Sequence, residues 1–85
     1  MSLQVLSDSD KRVVGLKQVQ RFARLGKLEK IFIAKDADEH IIEKLLALCE
    51  KHAIPYEKAY TMHQLGNACQ IEVGSACAGI VKSTK

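Results

Sequence analysis

The sequence contains few aromatic residues and no tryptophan, which limits the ligand sites that it can build. Phenylalanine and tyrosine make up 5% of the chain. We expect Phe22 and Phe32 to lie in the core, which leaves Tyr56 and Tyr60 as candidates for a surface role. Proteins that hold single-stranded nucleic acid stack successive bases on several aromatic side chains. The composition therefore disfavours a groove of that kind.

Long apolar runs, a leader pattern and paired cysteines are also missing. No apolar stretch approaches the roughly 20 residues that a membrane span needs, and the first residues, MSLQVLSDSDKR, lack the pattern of a secretory signal. The three cysteines, Cys49, Cys69 and Cys77, form no CxxC pair. We therefore expect free thiols, a cytoplasmic location and no membrane partner.

Motifs of known enzyme classes are absent as well. The chain has no GxGxxG, GxxxxGK[ST] or GxSxG sequence. Its histidines, His40, His52 and His63, are spread along the chain without the spacing of a zinc site. The carboxylates in AKDADEH are explained by capping at a helix start. We expect no catalytic residue, no metal and no cofactor, and small core roles for the cysteines.

The composition that remains is that of one small soluble domain spanning residues 1–85. Apolar residues make up 47% of the chain and charged residues 27%, which is typical of globular proteins. A domain of this size buries only roughly 60–70% of the surface that its unfolded chain exposes. A surface site is therefore more plausible than a deep pocket, and we expect a monomer.

Charge is distributed unevenly along the chain. Between Lys11 and Lys35 there are eight basic residues and one acid, a net charge of +7, whereas residues 36–72 carry seven acids and three bases, a net charge of −4. Such an asymmetry indicates a polyanionic partner on one side of the molecule. Chance clustering on a solvated helix is the alternative.

Strand and helix patterns alternate, which predicts a sheet covered by helices. A short helix is predicted at residues 2–7, followed by a polar turn. The predicted strands are residues 12–14, 30–34, 55–59 and 75–81. The predicted longer helices run from Gly15 to about residue 25, from the acidic turn at residues 36–39 through Lys51, and from a capping box at Thr61 and Gln64 to about residue 69.

The helix that follows Gly15 has an unusual polar face. Leu16, Val19, Phe22 and Ala23 form its apolar stripe, and Lys17, Gln18, Arg21 and Arg24 occupy the opposite side without an acid. A helix start exposes backbone amides that attract anions, and Gly15 allows close backbone approach. Lysine and arginine can reach phosphates, and Gln18 can donate to and accept from a base edge. This pattern favours binding of folded RNA.

Three motifs in order, GLKQVQR, IFIAKDAD and LGNACQIEVGSACAGIV, resemble the kink-turn-binding ribosomal protein family of L7Ae, and in particular its short bacterial members. The resemblance covers the chain from about Arg12 to Val81. It implies an α/β fold, a three-layer α-β-α sandwich with a mixed four-stranded sheet. It also implies a non-catalytic protein that binds kink-turns, which are sharp RNA bends with tandem sheared G·A pairs beside a bulge.

The resemblance also assigns roles to individual residues. Gly15, Lys17, Gln18 and Arg21 would contact the G·A pairs and nearby phosphates, with Lys35 beside the same surface. Arg24 is a further candidate phosphate contact from the charge pattern of the helix alone. Ile71, Glu72 and Val73 would cover the bulge and an extruded nucleotide; the alternative is that Ile71 and Val73 simply begin the last strand.

Two departures from the family pattern bear on these roles. Lys17 and Gln18 replace an Asn-Glu pair, which favours phosphate attraction over base readout. Gln70 replaces a common glycine, at a cost of about 1 kcal/mol if the backbone there needs a positive φ.

Two functions of different classes follow. The first is a non-catalytic RNA-binding protein that recognises and stabilises kink-turns in ribosomal or structured regulatory RNA, so that the partner is RNA and either a ribosomal or a regulatory setting fits. The alternative is a protein-interaction module that uses the same fold, with only non-specific affinity for RNA and with the acidic surface around the long helix as its docking face.

Overall fold

A computed structural model of the chain describes residues 12–69 and 74–82, in which four strands alternate with three helices. The predicted helix at residues 2–7 lies outside the described residues. The elements are β1 (Arg12–Val14), α1 (Leu16–Arg24), β2 (Leu28–Ala34), α2 (Glu39–His52), β3 (Tyr56–Tyr60), α3 (Met62–Ala68) and β4 (Cys77–Val81).

Pairing between strands moves three predicted boundaries. β2 begins at Leu28, two residues earlier than predicted, because Leu28 pairs with Val81 of β4. β3 runs one residue later than predicted, since Pro55 offers the sheet only its carbonyl, which accepts from the Ile31 amide at 3.0 Å. β4 begins at Cys77 because the amide of Ser75 instead donates to the carbonyl of Met62 at 3.0 Å.

The predicted mixed four-stranded sheet is confirmed, with the order β1-β4-β2-β3. β4 is antiparallel to both β1 and β2, and β2 is parallel to β3. Consequently β1, β2 and β3 all run in the same direction and end at the same edge of the sheet. Each of the three helices begins just after one of these strands, so their N-termini lie along this edge, which we call the helix-start edge.

The side chains of β2 alternate between two cores, which confirms the three-layer sandwich. Ile31 and Ile33 face a core that also contains buried residues of α1 and α2: Val19, Ala23, Leu45 and Cys49. Phe32 and Ala34 face the opposite core, with Leu65, Ala68 and Cys69 from α3 and the residue that follows it. Successive side chains of a strand point to opposite faces, so a strand that is covered on both faces needs a continuous apolar run.

The expected core positions are confirmed for the cysteines and differ for one aromatic residue. Cys49, Cys69 and Cys77 are buried, as predicted. Phe32 is fully buried, but Phe22 is only partly buried, packing at the margin of the core shared by α1 and α2. Phe22 lies near the end of the nine-residue α1, next to the fully buried Ala23.

Side-chain caps fix the starts of α2 and α3. Asp38 accepts a hydrogen bond from the His40 amide at 2.8 Å. Thr61 and Gln64 form both bonds of the predicted capping box. Asp36, expected at the start of α2, instead accepts from the Met62 amide at 2.8 Å and thereby caps α3. These carboxylates have structural roles, as capping predicted.

Candidate nucleic-acid interface

The polar side chains of α1 form one continuous surface. Val19 and Ala23 are fully buried, which turns the opposite side of the helix towards solvent. The predicted site residues on that side, Lys17, Gln18, Arg21 and Arg24, are all exposed and together line one shallow depression. Gln20 also lines this depression. Its position three residues after Lys17 could have revealed it, because residues three apart are neighbours on a helix.

The cations of this surface lack acidic partners. Within residues 12–69 and 74–82, the single ion pair is that of Lys30 and Glu57 at 2.8 Å. Lys17, Arg21 and Arg24 take part in none, and their like charges repel one another along one helix face. α2 differs, because it interleaves Glu43, Lys44, Glu50 and Lys51 on its exposed side. The α1 surface therefore carries a positive charge that no described acid compensates.

The start of α1 differs from the other two helix starts. Gly15 occupies the N-cap with φ +94° and ψ 158°, and no side chain caps the helix. The first turn holds no acid, whereas Asp38 and Thr61 cap α2 and α3. The backbone amides at the start of α1, with the positive end of the helix dipole, are therefore not occupied by a side-chain oxygen.

The sheet brings Lys35 to the same edge as the start of α1. The Gly15 amide donates to the Cys77 carbonyl at 3.1 Å, and the Ala34 amide donates to the Ala76 carbonyl at 2.8 Å. Gly15 and Lys35 thus lie on the two sides of the start of β4, about 10 Å apart if neighbouring strands have their usual spacing. Lys35 is exposed, so its ammonium group extends the basic surface along the helix-start edge.

A family assignment follows from comparison with known proteins. Residues 1–85 match the model of the ribosomal protein L7Ae/L30e/S12e/Gadd45 family. The chain belongs to this family. The resemblance drawn from its three motifs is therefore confirmed.

Short bacterial members of the L7Ae family are similar to this chain over nearly its whole length. A protein of Geobacillus thermodenitrificans named "RNA-binding protein" is 38% identical over 82 residues, which cover 96% of this chain and 100% of the relative. An RNA-binding protein of Caldanaerobacter subterraneus subsp. tengcongensis is 42% identical over 71 residues, covering 84% of this chain and 87% of the relative.

A solved structure with the L7Ae-type fold is also similar. The Giardia lamblia 15.5kD RNA binding protein superposes with a TM-score of 0.84 and 28% identity, covering 95% of this chain and 68% of that protein. The α/β sandwich of this L7Ae-family chain therefore agrees with that of a larger relative.

The family segment predicted to cover the RNA bulge precedes β4. Ile71, Glu72, Val73 and the preceding Gln70 lie outside the described residues. The residues on either side of them have defined contacts: a guanidinium nitrogen of Arg12 donates to the Cys69 carbonyl at 3.4 Å, and the chain beyond them joins the helix-start edge through Ser75.

Thiol chemistry has little support in this L7Ae-family chain. Burial raises the pKa of Cys49 to about 11. Burial, with smaller contributions from Cys49 and Cys69, raises the pKa of Cys77 to about 12. The thiolate is the reactive form of cysteine, so these buried thiols are poor nucleophiles.

Two further observations concern metals and membranes. In the part of the chain that the structure describes, no three histidine, cysteine or acidic side chains are grouped so that they could hold a metal ion. None of the helices described is long and apolar enough to cross a membrane.

Proposed function

We propose that this L7Ae-family protein is a non-catalytic RNA-binding protein that recognises and stabilises kink-turns. The observation that carries the proposal is the cationic face of α1, which begins at an uncapped glycine and has no acidic partner among the described residues. A phosphate backbone supplies the missing negative charge. Bacterial relatives that align with 96% and 84% of this chain are named RNA-binding proteins, which supports the same partner.

Different residues of the surface do different work. Lys17, Arg21 and Arg24 attract phosphates, and Lys35 adds a cation at the helix-start edge. Gln18 is the neutral polar side chain of the predicted set, and its amide can pair with the edge of a G·A base pair. Ile71, Glu72 and Val73 would cover the bulge, as the family resemblance implies.

The free start of α1 allows the RNA to come close to the backbone. Gly15 has no side chain, and the amides that follow it point out of the helix end. A base oxygen or phosphate can therefore accept from them at a distance that a capped helix would not permit. Since Lys17 and Gln18 stand where the family pattern has Asn-Glu, we expect phosphate attraction to contribute a larger share of the affinity than base readout.

Recognition of this kind also folds the RNA. A kink-turn exchanges between bent and extended forms, and a protein that contacts only the bent form shifts the population towards it. A hundredfold preference for the bent form changes the free-energy difference between the two forms by about 2.7 kcal/mol in favour of the bent one. Binding and bending are then a single equilibrium, with no chemical step.

A protein partner is the second candidate, through the acidic surface around α2. The structure gives it less support, because Lys44 and Lys51 stand among the exposed acids of that helix. The surface with charge of one sign is α1. Two observations together would favour the second function. A protein partner would remain bound after ribonuclease treatment, and it would not compete with RNA for α1 or Lys35.

The direct test is energy transfer between dyes on the two ends of a kink-turn RNA at low magnesium concentration. We expect the protein to bring the ends together, and we expect Arg21→Ala to require more protein for the same change. Lys44→Ala, an exposed lysine on α2, is the matched control and should behave as the wild type. Binding without a change in transfer efficiency would contradict the proposal.

A further inference from the structure

Two lysines outside the interface already described meet at the far end of α1. Gly26, with φ +69°, reverses the chain after the helix, and the Lys27 amide donates to the Phe22 carbonyl at 3.0 Å. The Lys82 amide then donates to the Lys27 carbonyl at 2.7 Å. The backbones of Lys27 and Lys82, distant in sequence, are therefore adjacent at the edge of the sheet opposite the helix-start edge.

These lysines add positive charge near the end of α1. Lys27, Lys82 and the nearby Arg24 are exposed, and none forms an ion pair within the part of the chain that is described. Lys82 lines a groove between the end of α1, at Ala23 and Gly26, and the residues that follow α2, at Ala53 and Ile54. Glu29 is the acid that lines the same groove, so the local balance remains positive.

We propose that Lys27 and Lys82 form a second phosphate-binding patch, which holds the backbone of the RNA duplex that flanks the kink. The inference rests on the proposed function, since it extends the same RNA complex. α1 has nine residues and is therefore about 13 Å long. An RNA that contacts Gly15 must continue along the helix for this distance before it reaches the patch, so the patch contacts a flanking stem and not the kink.

The chemistry of the patch predicts affinity without sequence preference. A lysine ammonium group is a point charge with three donors and no acceptor. It can neutralise a phosphate, but it does not distinguish one base pair from another as a paired donor and acceptor can. The patch should therefore strengthen binding to RNA with long stems, whatever their sequence.

The test compares two kink-turn RNAs, one with long stems and one trimmed close to the kink, over a range of salt concentrations. For the long-stem RNA, Lys27→Gln/Lys82→Gln should weaken binding several-fold and reduce the slope of log affinity against log salt by about 2, since each phosphate contact contributes about 0.9. For the trimmed RNA, the double lysine variant should have the same affinity and the same salt slope as the wild type. Lys44→Gln/Lys51→Gln on α2 is the matched control, which should change neither RNA's binding.

Glu29→Gln gives a test of opposite sign. Removing this carboxylate makes the patch more positive, so the variant should bind the long-stem RNA more tightly than the wild type and the trimmed RNA equally well. A role of these lysines in stabilising the end of α1 would not produce that gain.

Two results would overturn the patch: an unchanged salt slope in the double lysine variant, or an equal loss on both RNAs. Neither bears on the preference of the wild type for a kink-turn over a regular duplex. That preference is measured separately, and its absence would overturn the proposed function instead.

Discussion

The backbone amide of Gly15 donates a hydrogen bond to the carbonyl oxygen of Cys77 at 3.1 Å. This bond joins the N-terminus of the basic helix to the first residue of β4, although the two lie far apart in sequence. It places the start of α1 beside the start of β4, at the helix-start edge. Gly15 and the first residue of β4 therefore lie at the same edge of the sheet as Lys35, which follows β2.

Arg21→Ala should weaken binding to kink-turn RNA and make it less sensitive to salt. Arg21 is exposed in the middle of the basic face, and loss of one phosphate contact lowers the slope of log affinity against log salt by about 0.9. A filter-binding or fluorescence titration at several salt concentrations measures this slope. Lys44→Ala provides the control, and an unchanged slope in Arg21→Ala would remove Arg21 from the interface.

Gln18→Ala should reduce the preference for the kink-turn and leave the salt dependence unchanged. The amide of Gln18 carries no charge, so its removal releases no counterion. Loss of a base contact costs about 1–3 kcal/mol of discrimination in protein–nucleic acid interfaces. The measurement is the ratio of affinities for a kink-turn and for a regular duplex. Lys44→Ala, on the exposed side of α2, is the control and should keep the ratio of the wild type; an unchanged ratio in Gln18→Ala would contradict the assigned role.

Gly15→Ala should destabilise the fold by about 1–3 kcal/mol, because φ +94° with ψ 158° is a backbone conformation that is essentially restricted to glycine. A Cβ added at Gly15 would meet no atom within 4 Å, so steric contact does not contribute. Urea denaturation measures the effect as a lower midpoint with an unchanged slope.

Gly26→Asn is the control for this effect of the backbone. Gly26 has φ +69° and equally open surroundings, but asparagine tolerates this left-handed region. We expect a loss of less than about 1 kcal/mol there. A Gly15→Ala variant with the wild-type midpoint would show that the N-cap is not strained.

Stability should fall above about pH 8.5, partly because of the buried thiols. The pKa of an unfolded cysteine is about 8.5, whereas burial raises the pKa of Cys49 to about 11 and that of Cys77 to about 12. Between these values the unfolded state binds fewer protons than the native state, so the free energy of unfolding decreases by up to about 1.4 kcal/mol per pH unit and thiol. The stabilisation from the protonated thiols is complete below the pKa of the unfolded thiol. It is lost as the pH rises through the pKa of the thiol in the folded protein.

The control for alkaline stability is Cys49→Ala/Cys77→Ala. This variant should begin with lower stability, since it leaves space in the core, but its stability should fall less steeply between pH 9 and 11. Denaturation at each pH measures both curves. Parallel curves for the variant and the wild type would contradict the assignment of the loss to the two thiols.

The sequence predicted those parts of the structure that depend on short spacings. Three features of this kind are the apolar stripe of α1, the capping box of Thr61 and Gln64, and the core strand around Phe32. Each involves residues that are only a few positions apart in the sequence. Helical periodicity and capping are properties of such short segments. The four exposed residues of α1 could therefore be assigned to one surface before the fold was known.

Features that depend on distant pairing could not be predicted from local patterns. The two residues that extend β2 belong to the strand because Leu28 pairs with Val81, and Asp36 caps α3 because the end of β2 lies beside the start of that helix. The contact between Lys27 and Lys82 likewise arises from the order of the strands. Only the sheet topology brings these residues together.

The central claim is that this protein recognises the shape of a kink-turn, and not only the phosphate charge of RNA. The most direct measurement is a titration of two RNA duplexes at fixed salt and magnesium, one with a kink-turn and one whose G·A pairs are replaced by Watson–Crick pairs. We expect clearly tighter binding to the kink-turn. Equal affinity for both would contradict the claim and would leave α1 as a general phosphate-binding surface.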